Sequence, residues 1–85
     1  MIAGIVRDDT GAPVERVRVY FTHAPVAVPD VAAVTGADGR FALAAPAPGR
    51  YSLECSAEGY ATVGRTVLVT GADEEVDIIL GRPSP

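Results

Sequence analysis

Tyr51-Ser52-Leu53-Glu54-Cys55-Ser56-Ala57-Glu58 is the stretch from which the fold follows. Tyr51, Leu53, Cys55 and Ala57 alternate with Ser52, Glu54, Ser56 and Glu58. Successive side chains of a β-strand point to opposite faces, so this alternation marks a strand with one face in a core and one in water. A helix needs apolar residues three and four apart, and no window of the chain holds such a stripe. Just before the strand lies Pro46-Ala47-Pro48-Gly49, a turn in which proline fixes φ and glycine is free to take positive φ. Before that turn, Phe41, Leu43 and Ala45 repeat the alternation. Gly36-Ala37-Asp38-Gly39 leads into them from a weak strand predicted over Val31–Thr35. Further upstream, Val17, Val19 and Phe21 face one way and Arg18, Tyr20 and Thr22 the other. Asp8-Asp9-Thr10-Gly11 separates them from a first strand with Ile2, Gly4 and Val6 inward. Downstream, Glu58-Gly59 and Gly71-Ala72-Asp73-Glu74 are corners around Val67 and Val69 and before Val76, Ile78 and Leu80. Seven strands result, spaced at about the 8–12 residues of an all-β sandwich. His23–Asp30, with Pro25 and Pro29, reads as an irregular crossover between sheets. The expected architecture is therefore all-β, a seven-stranded antiparallel Greek-key β-sandwich.

A chain of 85 residues suffices for one small domain and not for two. The expected domain spans residues 1–81, with a frayed tail over 82–85. Hydrophobic residues make up 48% and charged residues 21%, the balance of a globular chain. Ala and Val dominate the apolar fraction, so the core is built largely from small side chains. There is no Lys, Asn, Gln or Trp; all seven basic residues are Arg, and eleven acids give a net charge of −4. An acidic chain without a basic run is a poor match for a phosphate backbone or an anionic membrane surface. Nucleic acid is therefore not an expected partner. Nor is membrane insertion expected, since no apolar run approaches the roughly 20 residues of a membrane helix. No signal peptide opens the sequence. The expected location is cytoplasmic, unless the chain is leaderless cargo or a module of a longer exported protein.

Several short motifs occur in a fixed order: Gly4-x-Val6-x-Asp8, Gly11-x-Pro13-Val14, Val17-x-Val19, Asp38-Gly39-Arg40-Phe41, Pro48-Gly49-x-Tyr51-x-Leu53, Gly59-Tyr60, Val67-x-Val69 and Leu80. Over Ile2 to Leu80 this order resembles the carboxypeptidase regulatory-like domain, a transthyretin-like (prealbumin-like) β-sandwich family. The resemblance implies a fold and almost no chemistry. Such domains are non-catalytic appendages to larger proteins and serve in stability, spacing and protein contact. The zinc-peptidase chemistry in the family's name needs two His or a His/Glu/His set, and this chain has only His23. Transthyretin-like hydrolases carry several His and a C-terminal Tyr-Arg-Gly-Ser motif, absent here. The Lys–Asn isopeptide bond of related surface proteins lacks both partners.

The remaining chemistry-bearing residues have plainer roles. Cys55 lies on the inward face of its strand and reads as an inert small hydrophobe. Asp8-Asp9 is turn chemistry, without the Asp-x-Asp-x-Asp-Gly spacing of a calcium loop. No catalytic residue, cofactor or metal ligand is expected, and the chain does not read as an enzyme. Alternation instead places Ile5, Leu68 and Ile79 outward on three strands, and Arg18 and Tyr20 outward on another. These five form the candidate protein interface. If the first, sixth and seventh strands share a sheet, the three aliphatic residues make one stripe for a partner or a second copy. The alternative is a small-ligand or carbohydrate-binding sandwich using loop residues near His23 and Tyr20.

Overall fold

Seven strands and no helix form among the described residues, 1–28 and 32–82, of a computed structural model. They are β1 (Ile2–Asp8), β2 (Arg18–His23), β3 (Ala33–Val34), β4 (Arg40–Leu43), β5 (Gly49–Ser56), β6 (Val63–Val69) and β7 (Glu74–Leu80). A three-stranded sheet has the order β4-β1-β7 and a four-stranded sheet the order β3-β2-β5-β6. The expected sandwich is therefore present, and the longest strand, β5, is the one that carries the clearest alternation. Val31 of the predicted weak strand, Pro29 and Asp30 of the crossover, and residues 83–85 of the expected tail lie outside the described residues.

Two details differ from expectation. Of the five strand pairings, four are antiparallel, but β1 and β7 run parallel. No hairpin joins these two strands, so no tight turn forces them to oppose each other. The strand predicted over Val31–Thr35 is only Ala33–Val34. Its partner β2 starts at Arg18, because Arg16 sits at φ 63°, a left-handed conformation that a strand does not continue through. Thr35 is held there by a different set of bonds. Its Oγ1 accepts from the Val17 N–H at 2.9 Å and donates to the Val14 carbonyl at 2.8 Å. Its own N–H donates to the Val17 carbonyl, and its carbonyl accepts from the Arg16 N–H, both at 3.0 Å. Thr35 is buried, and its hydroxyl is satisfied by the bonds to Val17 and Val14.

The core lies between the sheets. Ile2, Val6, Val17, Val19, Tyr51, Leu53, Cys55, Ile78 and Leu80 are fully buried, and Phe41, Leu43, Val67 and Val69 nearly so. These are the inward positions of the alternation. Gly4 is also inward, directly opposite Phe41 in the β1–β4 register. A Cβ at Gly4 would lie 2.6 Å from the Val76 carbonyl oxygen and 2.7 Å from the Phe41 ring, so glycine leaves the space that ring fills. Gly39 is required for a second reason. It sits at φ 75°, and a Cβ there would fall 2.5 Å from the Val6 carbonyl oxygen.

Tyr51 is buried yet polar at its tip. Its hydroxyl donates to the Ala47 carbonyl at 2.7 Å and accepts from the Ala47 N–H at 3.2 Å, and its ring centroid lies 5.1 Å from that of Phe21. The ring thus fills the core while the hydroxyl ties down the Pro46–Gly49 turn that starts its own strand. Tyr51→Phe keeps the ring and loses both bonds. It is expected to destabilise by about 1–2 kcal/mol in urea denaturation; a loss below about 0.3 kcal/mol would mean that water replaces the hydroxyl.

Candidate protein interface

Each sheet presents one face to solvent. On the three-stranded sheet the outer positions are Ala3, Ile5 and Arg7 of β1, Arg40 and Ala42 of β4, and Glu75, Asp77 and Ile79 of β7. The register sets Arg40, Ile5 and Asp77 in one row. A second row holds Ala42, Ala3 and Glu75, and Arg7 lies beside Ile79. A shallow hollow over the half-buried Ile5 is lined by Arg7, Arg40, Glu75 and Asp77. On the four-stranded sheet the outer positions are Arg18 and Tyr20 of β2, Arg50, Ser52, Glu54 and Ser56 of β5, and Gly64, Thr66 and Leu68 of β6. There Arg18, Tyr20, Ala32 and Ser56 line another open hollow.

The five candidate residues are thus outward-facing but do not form one patch. Ile5 and Ile79 share the three-stranded sheet, about 8 Å apart diagonally from strand spacing and rise. Leu68 lies on β6, in the other sheet, and its side chain points away from theirs. The single aliphatic stripe therefore does not exist. Strands β6 and β7 are consecutive, but the chain changes sheets between them, and alternation within a strand carries no information about sheet membership. Arg18 and Tyr20 share a face with Leu68 but sit near the opposite end of it: Tyr20 aligns with Glu54, and Leu68 with Arg50.

A β-bulge was not legible in the sequence. Phe21 aligns with Leu53, whereas His23 aligns with Ser52, so Thr22 is an extra residue. Without it, His23 would fall in the inward phase. The bulge turns it to the outer face, where it is exposed in the same row of positions as Tyr20. Cys55 points to the other side of that sheet, into the core, so the only His and the only Cys of the chain are not brought together.

Burial pushes the Cys55 thiol up to about 11, against a weaker opposing pull from Arg65. At pH 8 only about one thiol in a thousand is then the reactive thiolate. Native protein is expected to react with a thiol reagent at least a hundredfold more slowly than urea-unfolded protein, a ratio on the order of that set by thiolate fraction and access. Equal rates would place Cys55 at the surface.

Asp8 organises the first turn. Its carboxylate accepts from the Thr10 hydroxyl at 2.6 Å and from the Thr10 and Ala12 N–H groups at 2.9 and 3.1 Å. These bonds, the Thr10 hydroxyl first, hold its pKa below the usual 3.8. The carboxylate therefore supports the fold above the unfolded value and loses that effect as the pH falls through the lower, folded one. All of its close polar contacts are local, which makes it a turn residue. Among the described residues, no group of three His, Cys, Asp or Glu side chains is placed to hold a metal ion.

Two facing sheets with an apolar core between them and one solvent-facing side each define a β-sandwich domain. A family model for the carboxypeptidase regulatory-like domain matches residues 1–81, and the chain belongs to that family. Among solved structures, it is similar to chains from two mutants of the type II Cohesin-X-Dockerin complex (Coh3ScaB-XDoc) of Acetivibrio cellulolyticus. For the C-terminal interface mutant the TM-score is 0.71 at 22% identity, covering 93% of this chain and 55% of that one. For the N-terminal interface mutant the TM-score is 0.72 at 22% identity, covering 95% and 56%. This chain spans about half the length of those chains, and at that identity the likeness is one of fold. Comparison with curated protein sequences gives no match.

Proposed function

We propose that this domain is a non-catalytic protein-interaction or structural module, an adaptor, spacer or capping domain that meets a protein partner through a sheet face or edge. The observation that carries this reading is the placement of its exposed large apolar side chains. Leu68 is 61% exposed and Ile79 51% exposed, and both sit on outer faces of edge strands, β6 and β7. A binder of small ligands needs a concave pocket with converging polar groups; the hollow over Ile5 and the one beside Tyr20 are open and lie on sheet faces. The same fold also occurs in chains of a protein–protein complex.

Ile79→Arg tests the reading. The side chain is on the solvent side of its strand, so melting should change little. Capture of a defined partner from the native source should weaken by about tenfold or more, since a charge placed in an apolar contact costs at least about 1.4 kcal/mol. Undiminished capture by the folded variant, or turnover of a small molecule by the parent, would overturn it.

A further inference from the structure

The two sheets divide the charge unevenly. The strands of the four-stranded sheet contain Arg18, Arg50, Arg65 and His23 but one acid, Glu54, whereas β7 alone contains Glu74, Glu75 and Asp77. Arg65 is in the phase of the buried Val67 and Val69, and its guanidinium donates across to the Asp77 carbonyl at 3.2 Å. Arg18 and Arg50 remain on the outer face. Both are exposed, and neither has an ion-pair partner among the described residues. A chain with an excess of acid thus turns one cationic face to solvent.

That face is shaped as a shallow trough along β5. Ser52, the half-buried Glu54 and Ser56 form its floor, between β2 and β6. Tyr20 stands on one side and the exposed Leu68 on the other. Arg50 closes one end, and Arg18, aligned with Ser56, marks the other. Ser56 to Arg50 is six residues of strand, about 20 Å. At the Arg18 end, Arg18, Tyr20 and Ser56 line an open hollow. It brings guanidinium and hydroxyl donors to one place, which is the donor set a carboxylate needs.

We propose that this trough binds an extended acidic segment of a protein partner, with two carboxylates six residues apart held by Arg18 and Arg50. This rests on the reading of the domain as an interaction module and names the chemistry of what meets the face opposite Ile79. An extended chain rises at nearly the same rate as β5, and its residues i and i+6 point to the same side. Seven residues therefore reach both arginines. A helix covering about 20 Å would take roughly 13 residues and would bring a backbone whose groups are already paired. An extended backbone brings free N–H and C=O groups, which the floor hydroxyls of Ser52 and Ser56 can bond. Leu68, aligned with Arg50, covers an apolar residue next to one acid. Glu54 lies between the two arginines and repels a third acid, so the segment is acidic at its ends and not at its centre. An acidic polysaccharide also carries carboxylates but has no aliphatic side chain for Leu68.

An NMR titration of the isotope-labelled domain with the peptide Glu-Ser-Leu-Ser-Thr-Ser-Glu, blocked at both ends, is the test. Amide signals of β2 and β5 should shift and saturate. Arg18→Ala and Arg50→Ala should each weaken binding by about fivefold, with melting unchanged because both side chains are exposed. The same peptide with Gln at both ends should bind at least about tenfold more weakly. Arg50→Glu should lose the peptide and regain it when one end acid is replaced by Lys, and the end that restores binding gives the direction of the segment. A Glu added at the centre should weaken binding several-fold, and Glu54→Gln should relieve that loss. Binding that survives both arginine variants overturns the proposal, as does the absence of any shift at about 5 mM peptide. So does an oligogalacturonate that binds through the two arginines where the peptide does not. Ile79→Arg lies on the other sheet and should leave peptide binding unchanged. Its capture experiment therefore judges the interaction reading whichever way the peptide result falls.

Discussion

Phe41→Ala is expected to lower the melting temperature by about 15–30 °C. Phe41 is nearly buried, lies opposite Gly4 and sits against the position where any β-carbon on Gly4 would project. Removing the ring leaves a gap that Gly4, having no side chain, cannot fill from its side. Large-to-small changes of this kind cost about 3–5 kcal/mol. A domain of this length holds roughly 5–10 kcal/mol in total, and each kcal/mol moves its midpoint by about 4–8 °C. Thermal and urea melts measure the effect. A midpoint within about 3 °C of the parent would show that Phe41 does not seal the sandwich.

Thr35→Val is the second large effect. Valine has nearly the same shape, so the packing around position 35 stays and only the hydroxyl goes. The Val17 N–H and the Val14 carbonyl then lose their partner in a buried site. Each unsatisfied group costs about 1–3 kcal/mol, giving about 2–6 kcal/mol together. Thr35→Ser keeps the hydroxyl and is expected to lose less than about 1.5 kcal/mol. The contrast between the two variants is the measurement. Equal losses would assign the role of Thr35 to its methyl group and not to its hydroxyl.

What was legible in the sequence and what was not divides along physical lines. The inward residues of β5, β4 and β7 follow from alternation alone, since a strand's side chains know only two directions. The turns at Gly39 and Gly49 follow from residues that tolerate positive φ. Pairing did not follow. Nothing local distinguishes a sixth strand that continues a sheet from one that opens the other, so alternation leaves open whether Leu68 joins Ile5 and Ile79, and the sheet order separates them. Thr35 was similarly silent, because the groups it serves are about twenty residues away in sequence. The bulge at Thr22 left no signal in the alternation before it, yet it decides which side of the sheet His23 occupies. Of the candidate interface, the outward orientation of each residue was readable, and the grouping of those residues was not.

The parallel pairing of β1 and β7 has a mechanical consequence. β1 starts beside the start of β7, at Ile2 and Glu74, and ends beside its end, at Asp8 and Leu80. The chain therefore enters the ladder at one pole and leaves it at the other. A pull between these two ends acts along the strands and loads the seven aligned positions in shear. The bonds must slip together, where an antiparallel pair pulled from one end would unzip them one at a time. A domain spliced between two larger bodies by these ends would transmit tension through its stiffest direction, with the buried Ile2, Val6, Ile78 and Leu80 gripping the same two strands from below.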